Sequence, residues 1–353
     1  MNKEYPFRNL VFRGGGVRCF AYHGVLEVLE EEGILAQIDR VAGTSAGAAT
    51  AALVSFRLSA DETVALFKRM NYAKVRRRLA SDFRDWLVKP PKNMQDSVAR
   101  LKGNLDAFGR LLSNYGWYAN DYSQQWLEGI ISEQCDGNGR ATFAEFRERG
   151  FRDLYMVATN LERHREEIFS ATTTPDVAVA DALVLSQSIP LFFEAPRFDG
   201  KTLGEGTYYA DGGLVNDYPL QLFDAPEHFA HDNEWYRGGV NWQTLGCRLY
   251  TPEDCDEPSY RMPMKTLIGY MSNLIETMMN AQEAAHRGAP ADRARTIDIS
   301  NCCVSSTDFD IQLDPPGETY LKLVDAGRTA AQAYLAAYKP PSPNNSSRSE
   351  APP

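Results

Sequence analysis

Two stretches decide the fold: LVFRGGGVRCF at Leu10–Phe20 and IDRVAGTSAGAATAALVSF at Ile38–Phe56. Leu10–Phe12 is an apolar run of strand length, closed by a glycine cluster. Tyr22, Val25, Leu26 and Leu29 then recur at i, i+3, i+4 and i+7, a helical stripe that Gly33 terminates. Ile38–Ala42 reads as a second strand, and the small residues from Ala46 to Phe56 as a second helix. Strand, glycine turn and helix repeated twice within 56 residues predict an α/β fold with a mainly parallel sheet.

Downstream, Ser59-x-x-Glu62 and Thr142-x-x-Glu145 are capping boxes that open helices. Leu154–Thr159 reads as a strand that Glu167–Ser170 pairs with. Pro175 suits the first turn of a helix running toward Leu185. Asp199-Gly200 marks a hairpin turn into a strand at Thr207–Ala210, and Thr296–Ile299 reads as a further strand. Met262–His286 and Thr319–Tyr338 read as helices, and residues 224–262 as irregular. One domain is expected over residues 1–338. A helical, lid-like insertion at about 70–140 carries Tyr115, Trp117, Tyr118, Tyr122 and Trp126, and residues 339–353 have the composition of a disordered tail.

The 353 residues carry a net charge of −10, which argues against nucleic acid as a partner. Between Lys68 and Lys92, however, nine basic residues face two acidic ones, and Arg76, Arg77 and Arg78 form a candidate patch for anionic headgroups. The N-terminus lacks a signal-like apolar run, and no stretch reaches the roughly 18 apolar residues of a membrane span. A cytoplasmic protein is expected, peripheral to membranes at most. Cys19, Cys135, Cys247, Cys255, Cys302 and Cys303 contain no C-x-x-C pair, and no histidine has ligand spacing. They read as reduced thiols, with neither a zinc site nor a disulfide framework.

Chemistry concentrates in three places. Gly43-Thr44-Ser45-Ala46-Gly47 is G-x-S-x-G between a strand and a helix; small neighbours permit the sharp turn that presents a nucleophilic hydroxyl. Gly14, Gly15, Gly16, Val17 and Arg18 follow the first strand, where consecutive glycines turn backbone N–H groups into one concavity suited to an oxyanion. A dinucleotide fingerprint would need glycine where Cys19 stands, and its acidic residue at the end of a strand, whereas Asp39 opens one. Asp211-Gly212-Gly213 ends a strand, where Asp211 can act as general base to Ser45. The competing Ser-His-Asp arrangement has only His286 in suitable order, and its place at a helix end near Gly288 reads as a surface residue. His228 and His231 lie close after Asp211 in the irregular stretch, and His23 reads as packed near the sheet.

In this order, the motifs resemble those of the patatin-like phospholipase family. Gly14–Arg18 is similar to its oxyanion loop, Gly43–Gly47 to its nucleophile elbow, and Asp211–Gly213 to its catalytic turn. Ser186-Gln187-Ser188-Ile189-Pro190, Phe193 and Pro196 resemble the segment before that turn, and Asn216 and Pro219 the residues after it. The resemblance covers about residues 8–220. It implies a three-layer α/β/α fold, a Ser45/Asp211 dyad without histidine, no metal or cofactor, and hydrolysis of acyl esters in phospholipids, lysophospholipids or neutral lipids. Cys19 departs from the family's glycine. A non-lipid esterase or thioesterase on the same fold, and an effector switched on by a protein or small-molecule activator, remain alternatives. No motif speaks to oligomeric state.

Overall fold

The computed structural model describes residues 5–70, 113–118, 121–229, 233–253, 288–306 and 311–340, with single positions between them. An eight-stranded sheet is built from β1 (Asn9–Phe12), β2 (Arg40–Thr44), β3 (Asp153–Asn160), β4 (Arg165–Ser170), β5 (Arg197–Phe198), β6 (Thr207–Asp211), β7 (Thr244–Tyr250) and β8 (Thr296–Ser300). Its order is β8-β7-β1-β2-β3-β6-β5, with β4 also paired to β3. The pairs from β8 to β3 along this order are parallel. Those of β3 with β4 and β6, and of β5 with β6, are antiparallel. The mainly parallel sheet therefore matches the expectation from the two opening stretches.

Helices α1 (Ala21–Glu31), α2 (Ala46–Ser55), α3 (Ala60–Lys68), α4 (Asp121–Gln134), α5 (Val179–Gln187) and α6 (Glu318–Ala337) supply most of the cover. Both expected capping boxes form, on Ser59 and Thr142. Alternation along the strands sends Leu10, Phe12, Val41, Leu154 and Met156 to the large core shared with α1, α2, α5 and α6. Val11, Ala42 and Tyr155 face the other way, onto Tyr218, Leu220 and Phe223. That second face is capped by two short 3-10 turns, Leu220–Asp224 and Pro226–His228. Each fully buried Leu or Phe on these faces stabilises the fold by about 1.5–3 kcal/mol.

Buried Arg152 fastens α2 to the sheet through backbone carbonyls. Its guanidinium donates to those of Ile38 at 3.1 Å, Val54 at 2.6 Å and Leu35 at 2.6 Å. Desolvation there pushes its pKa down to about 10, while the helix-end carbonyl of Val54 compensates the charge.

Four expectations need correction. The stretch at 224–262 is not irregular throughout, because it contains β7, which lies beside β1. Helix α5 starts at Val179, since Thr174–Val177 forms a turn before it. Cys255 and Cys303 form a disulfide, with Cα atoms 5.4 Å apart, so the set of reduced thiols shrinks to Cys19, Cys135, Cys247 and Cys302. Their sequence separation of 48 hid the pairing. The second strand also begins later than read, at Arg40 rather than Ile38. Much of the expected insertion at 70–140, including Arg76, Arg77 and Arg78, lies outside the described residues, as does most of the helix expected at 262–286.

Candidate active site

Register brings the two distant motifs together. Thr44 pairs with Val157, and the next residue of β3, Ala158, pairs with Asp211. Ser45, directly after β2, and Asp211, at the end of β6, therefore meet at the ends of the two strands that flank β3. The Ser45 hydroxyl donates to Asp211 Oδ2 at 2.6 Å across 166 residues of sequence.

Ser45 is held in a conformation that L-residues avoid, with φ 55° and ψ −126°, at a cost of about 1–3 kcal/mol. Its surroundings enforce it. Its N–H donates to Ser186 Oγ at 2.9 Å, and the Ser186 hydroxyl donates to the Val157 carbonyl at 2.7 Å. Its carbonyl accepts the Ala48 and Ala49 amides as α2 begins. Gly47 is needed for close approach, because a Cβ there would lie 2.4 Å from the Phe12 carbonyl oxygen.

Asp211 is buried, with 1% exposure. Its Oδ1 accepts the Gly213 amide at 2.7 Å, and Thr159 Oγ1 donates to its carbonyl at 2.9 Å. Burial pushes its pKa up to about 7, against the opposing hydrogen bonds from Ser45 and Gly213. A carboxyl with this pKa beside a hydroxyl can take a proton near neutral pH.

The glycine turn lies next to Ser45, since a Cβ on Gly14 would stand 3.2 Å from Ser45 Cβ. Three of its amides are used within the fold: Gly14 donates to the Asp217 carbonyl at 3.0 Å, Val17 to Ser306 at 3.1 Å and Arg18 to Gly15 at 3.3 Å. The Gly15 and Gly16 amides have no acceptor among the described residues. Arg18 is turned away, its Nε donating to the Val304 carbonyl at 2.7 Å. Cys19 has an ordinary negative φ, so its Cβ brings no left-handed strain to the turn.

Two supports carried no readable signal in sequence. Arg13 and Asp217 form a buried ion pair at 2.7 Å beneath the glycine turn. Gln282 donates through Nε2 to the carbonyls of Gly213 at 2.8 Å and Leu214 at 3.0 Å, while its Oε1 accepts the Asp217 amide at 3.0 Å. Ser186 stood in a motif quoted for resemblance alone, and its brace on Ser45 emerges only in three dimensions.

His23 and His228 stand apart from the pair. His23 lies against Phe20, Phe67 and Tyr320, its Nδ1 3.0 Å from the Tyr320 hydroxyl. Burial and nearby Lys68 push its pKa down to about 3. His228 packs edge-on against Tyr155 and Phe223 on the second face. His231 and His286 lie outside the described residues. Among the described residues no His, Cys, Asp and Glu group has the arrangement of a metal site, and no helix is long and apolar enough to cross a membrane.

The fold defines an α/β protein whose motifs gather at the carboxyl ends of its central strands. Comparison gives the family: the patatin-like phospholipase profile matches residues 10–224. The chain belongs to that family of lipid hydrolases. It is 26% identical over 331 residues to YqhO of Bacillus subtilis (strain 168), spanning 92% of this chain and 97% of that one. A shorter match of 81 residues, 32% identical, relates it to the probable lipid hydrolase 463L of Invertebrate iridescent virus 6, across 23% of this chain and 26% of the other. The crystal structure of VipD from Legionella pneumophila shares the fold, with a TM-score of 0.52 at 18% identity over 94% of this chain and 67% of that one.

Proposed function

We propose that the chain is a serine acyl hydrolase that cleaves phospholipid, lysophospholipid or neutral-lipid esters of the phospholipase A type, with Ser45 and Asp211 as a catalytic dyad. The 2.6 Å contact between the Ser45 hydroxyl and Asp211 Oδ2 carries the reading. Asp211 takes the hydroxyl proton as Ser45 attacks the ester carbonyl. The Gly15 and Gly16 amides, within the Gly14–Arg18 turn, receive the oxyanion. The leaving alcohol regains the proton from Asp211. Water then attacks the acyl-enzyme, giving a proton to Asp211, which passes it to the departing Ser45 oxygen as the fatty acid leaves. Each lost oxyanion donor costs about 3–4 kcal/mol of transition-state stabilisation.

The purified protein, incubated with a mixed phospholipid extract, is expected to release fatty acid detectable by mass spectrometry. Ser45→Ala and Asp211→Asn each lower turnover by about 10³-fold or more while remaining folded. Near-wild-type turnover by either folded variant would sink the dyad. Release from short soluble esters and never from lipid would move the substrate to the non-lipid class. Activity restored only by adding lysate would point to an activator.

A further inference from the structure

The Cys255–Cys303 disulfide ties together the segments that follow neighbouring parallel strands β7 and β8. Cys302 and Cys303 both hold positive φ, 53° and 59°, and two consecutive β-carbon residues in that region are strained. The amides of Cys302 and Cys303 donate to Ser300 Oγ at 3.1 Å and Asn301 Oδ1 at 3.0 Å, and the disulfide adds a covalent hold to these. The loop also leads directly into the glycine turn: the Val304 carbonyl accepts Arg18 Nε at 2.7 Å, and the Ser306 carbonyl accepts the Val17 amide at 3.1 Å. The approach is tight, because a Cβ on Gly16 would lie 2.0 Å from Ser306 O. These contacts tether Val17 and Arg18 and fix the direction of the neighbouring Gly15 and Gly16 amides.

The same bond closes a 48-residue segment that contains Gln282. Through its three hydrogen bonds Gln282 grips Gly213, Leu214 and Asp217, the turn that follows Asp211. The bridge itself bears on the site through Val304 and Ser306, which follow Cys303 directly and meet the glycine turn.

We propose that Cys255–Cys303 is a thiol/disulfide control site for the hydrolase. Oxidised, it holds the glycine turn in place beside Ser45. Reduced, it lets the strained loop relax and the oxyanion donors drift. The proposal rests on the Ser45/Asp211 reading. A dithiol is the co-reactant: one thiolate attacks a bridge sulfur, and its second thiol resolves the mixed disulfide. Both cysteines leave as thiols, and the reductant leaves as its own disulfide. The bridge therefore opens in a thiol-reducing compartment and persists in an oxidising one.

The test follows the rate at which a fluorophosphonate probe labels Ser45, together with ester turnover, well below the melting transition. In the oxidised wild type both proceed. Dithiothreitol is expected to slow both by about 10- to 100-fold, since small misplacements cost that much, and reoxidation restores them. Cys255→Ser and Cys303→Ser are slow in either condition, whereas Cys302→Ser responds like the wild type. A bridge that only adds stability would lower the melting temperature and leave labelling unchanged. Unchanged labelling of wild type shown by mass to be reduced overturns the control site alone. Absent labelling and turnover in the oxidised wild type overturns the hydrolase reading, and the control site with it.

Discussion

At the residue scale, Asp211, as the proposed base, faces two demands that compete. A base must be charged to accept a proton, yet burial opposes that charge. Hydrogen bonds from Ser45 and the Gly213 amide return part of the cost, and burial still wins, leaving the carboxyl at about 7. Activity therefore has a direction with pH. Protonated Asp211 cannot take the Ser45 proton, so kcat/KM for a soluble ester should rise with pH and level off above about 7, reporting the free enzyme's base. A profile already flat from about pH 5, as for an ordinary carboxylate near 4, would refute this role. Ser45 and Asp211 were legible in sequence because their constraints are local: small residues flank the elbow, and a glycine pair follows the carboxylate. Ser186, Arg13, Asp217 and Gln282 were not. Each acts through a partner many residues away, and an ordinary polar side chain gives no sign of which carbonyl it will meet.

At the scale of elements, an apolar run closed by glycines revealed β1, and helical spacing of apolar residues revealed α1. Neither signal marked β7, although this strand lies in the middle of the parallel run. Gly246 and Arg248 interrupt its apolar character, and the fold explains both. Arg248 sends its guanidinium to Asp298 on β8, with Nε 2.7 Å from Oδ1. Gly246 makes room for Tyr218, since a Cβ there would lie 1.7 Å from the Tyr218 hydroxyl. That hydroxyl lies 2.9 Å from Thr296 Oγ1, so it cannot retreat without breaking a buried hydrogen bond. Gly246→Ala should therefore destabilise the protein by about 1–3 kcal/mol, as overpacking does. A lower urea midpoint with unchanged slope would show it. Partial recovery in Gly246→Ala/Tyr218→Phe would assign the clash to the hydroxyl, and a wild-type midpoint for the single variant would refute the packing argument.

Across the whole molecule, the site is a place where the fold gives up stability. Ser45 sits at positive φ, and the neighbouring strand end buries a carboxyl that ionises reluctantly. The second effect can be isolated by linkage. Unfolded, Asp211 titrates near its reference value of 3.8, whereas folded it does so at about 7. Between those values the native protein keeps a proton that the unfolded chain has released. Rising pH therefore favours unfolding through this window, by about 1.4 kcal/mol per pH unit from this one group. The Asp211→Asn variant has no such proton, and its amide oxygen can still accept the Gly213 N–H. The stability difference between variant and wild type should accordingly grow in the variant's favour from about pH 4 to about pH 7 and then stay constant. Taking the difference cancels the other titrating groups, which the two proteins share. Urea midpoints measured across that range decide the matter. A difference that does not change with pH would mean that Asp211 is not ionising inside the folded protein at the cost its burial implies.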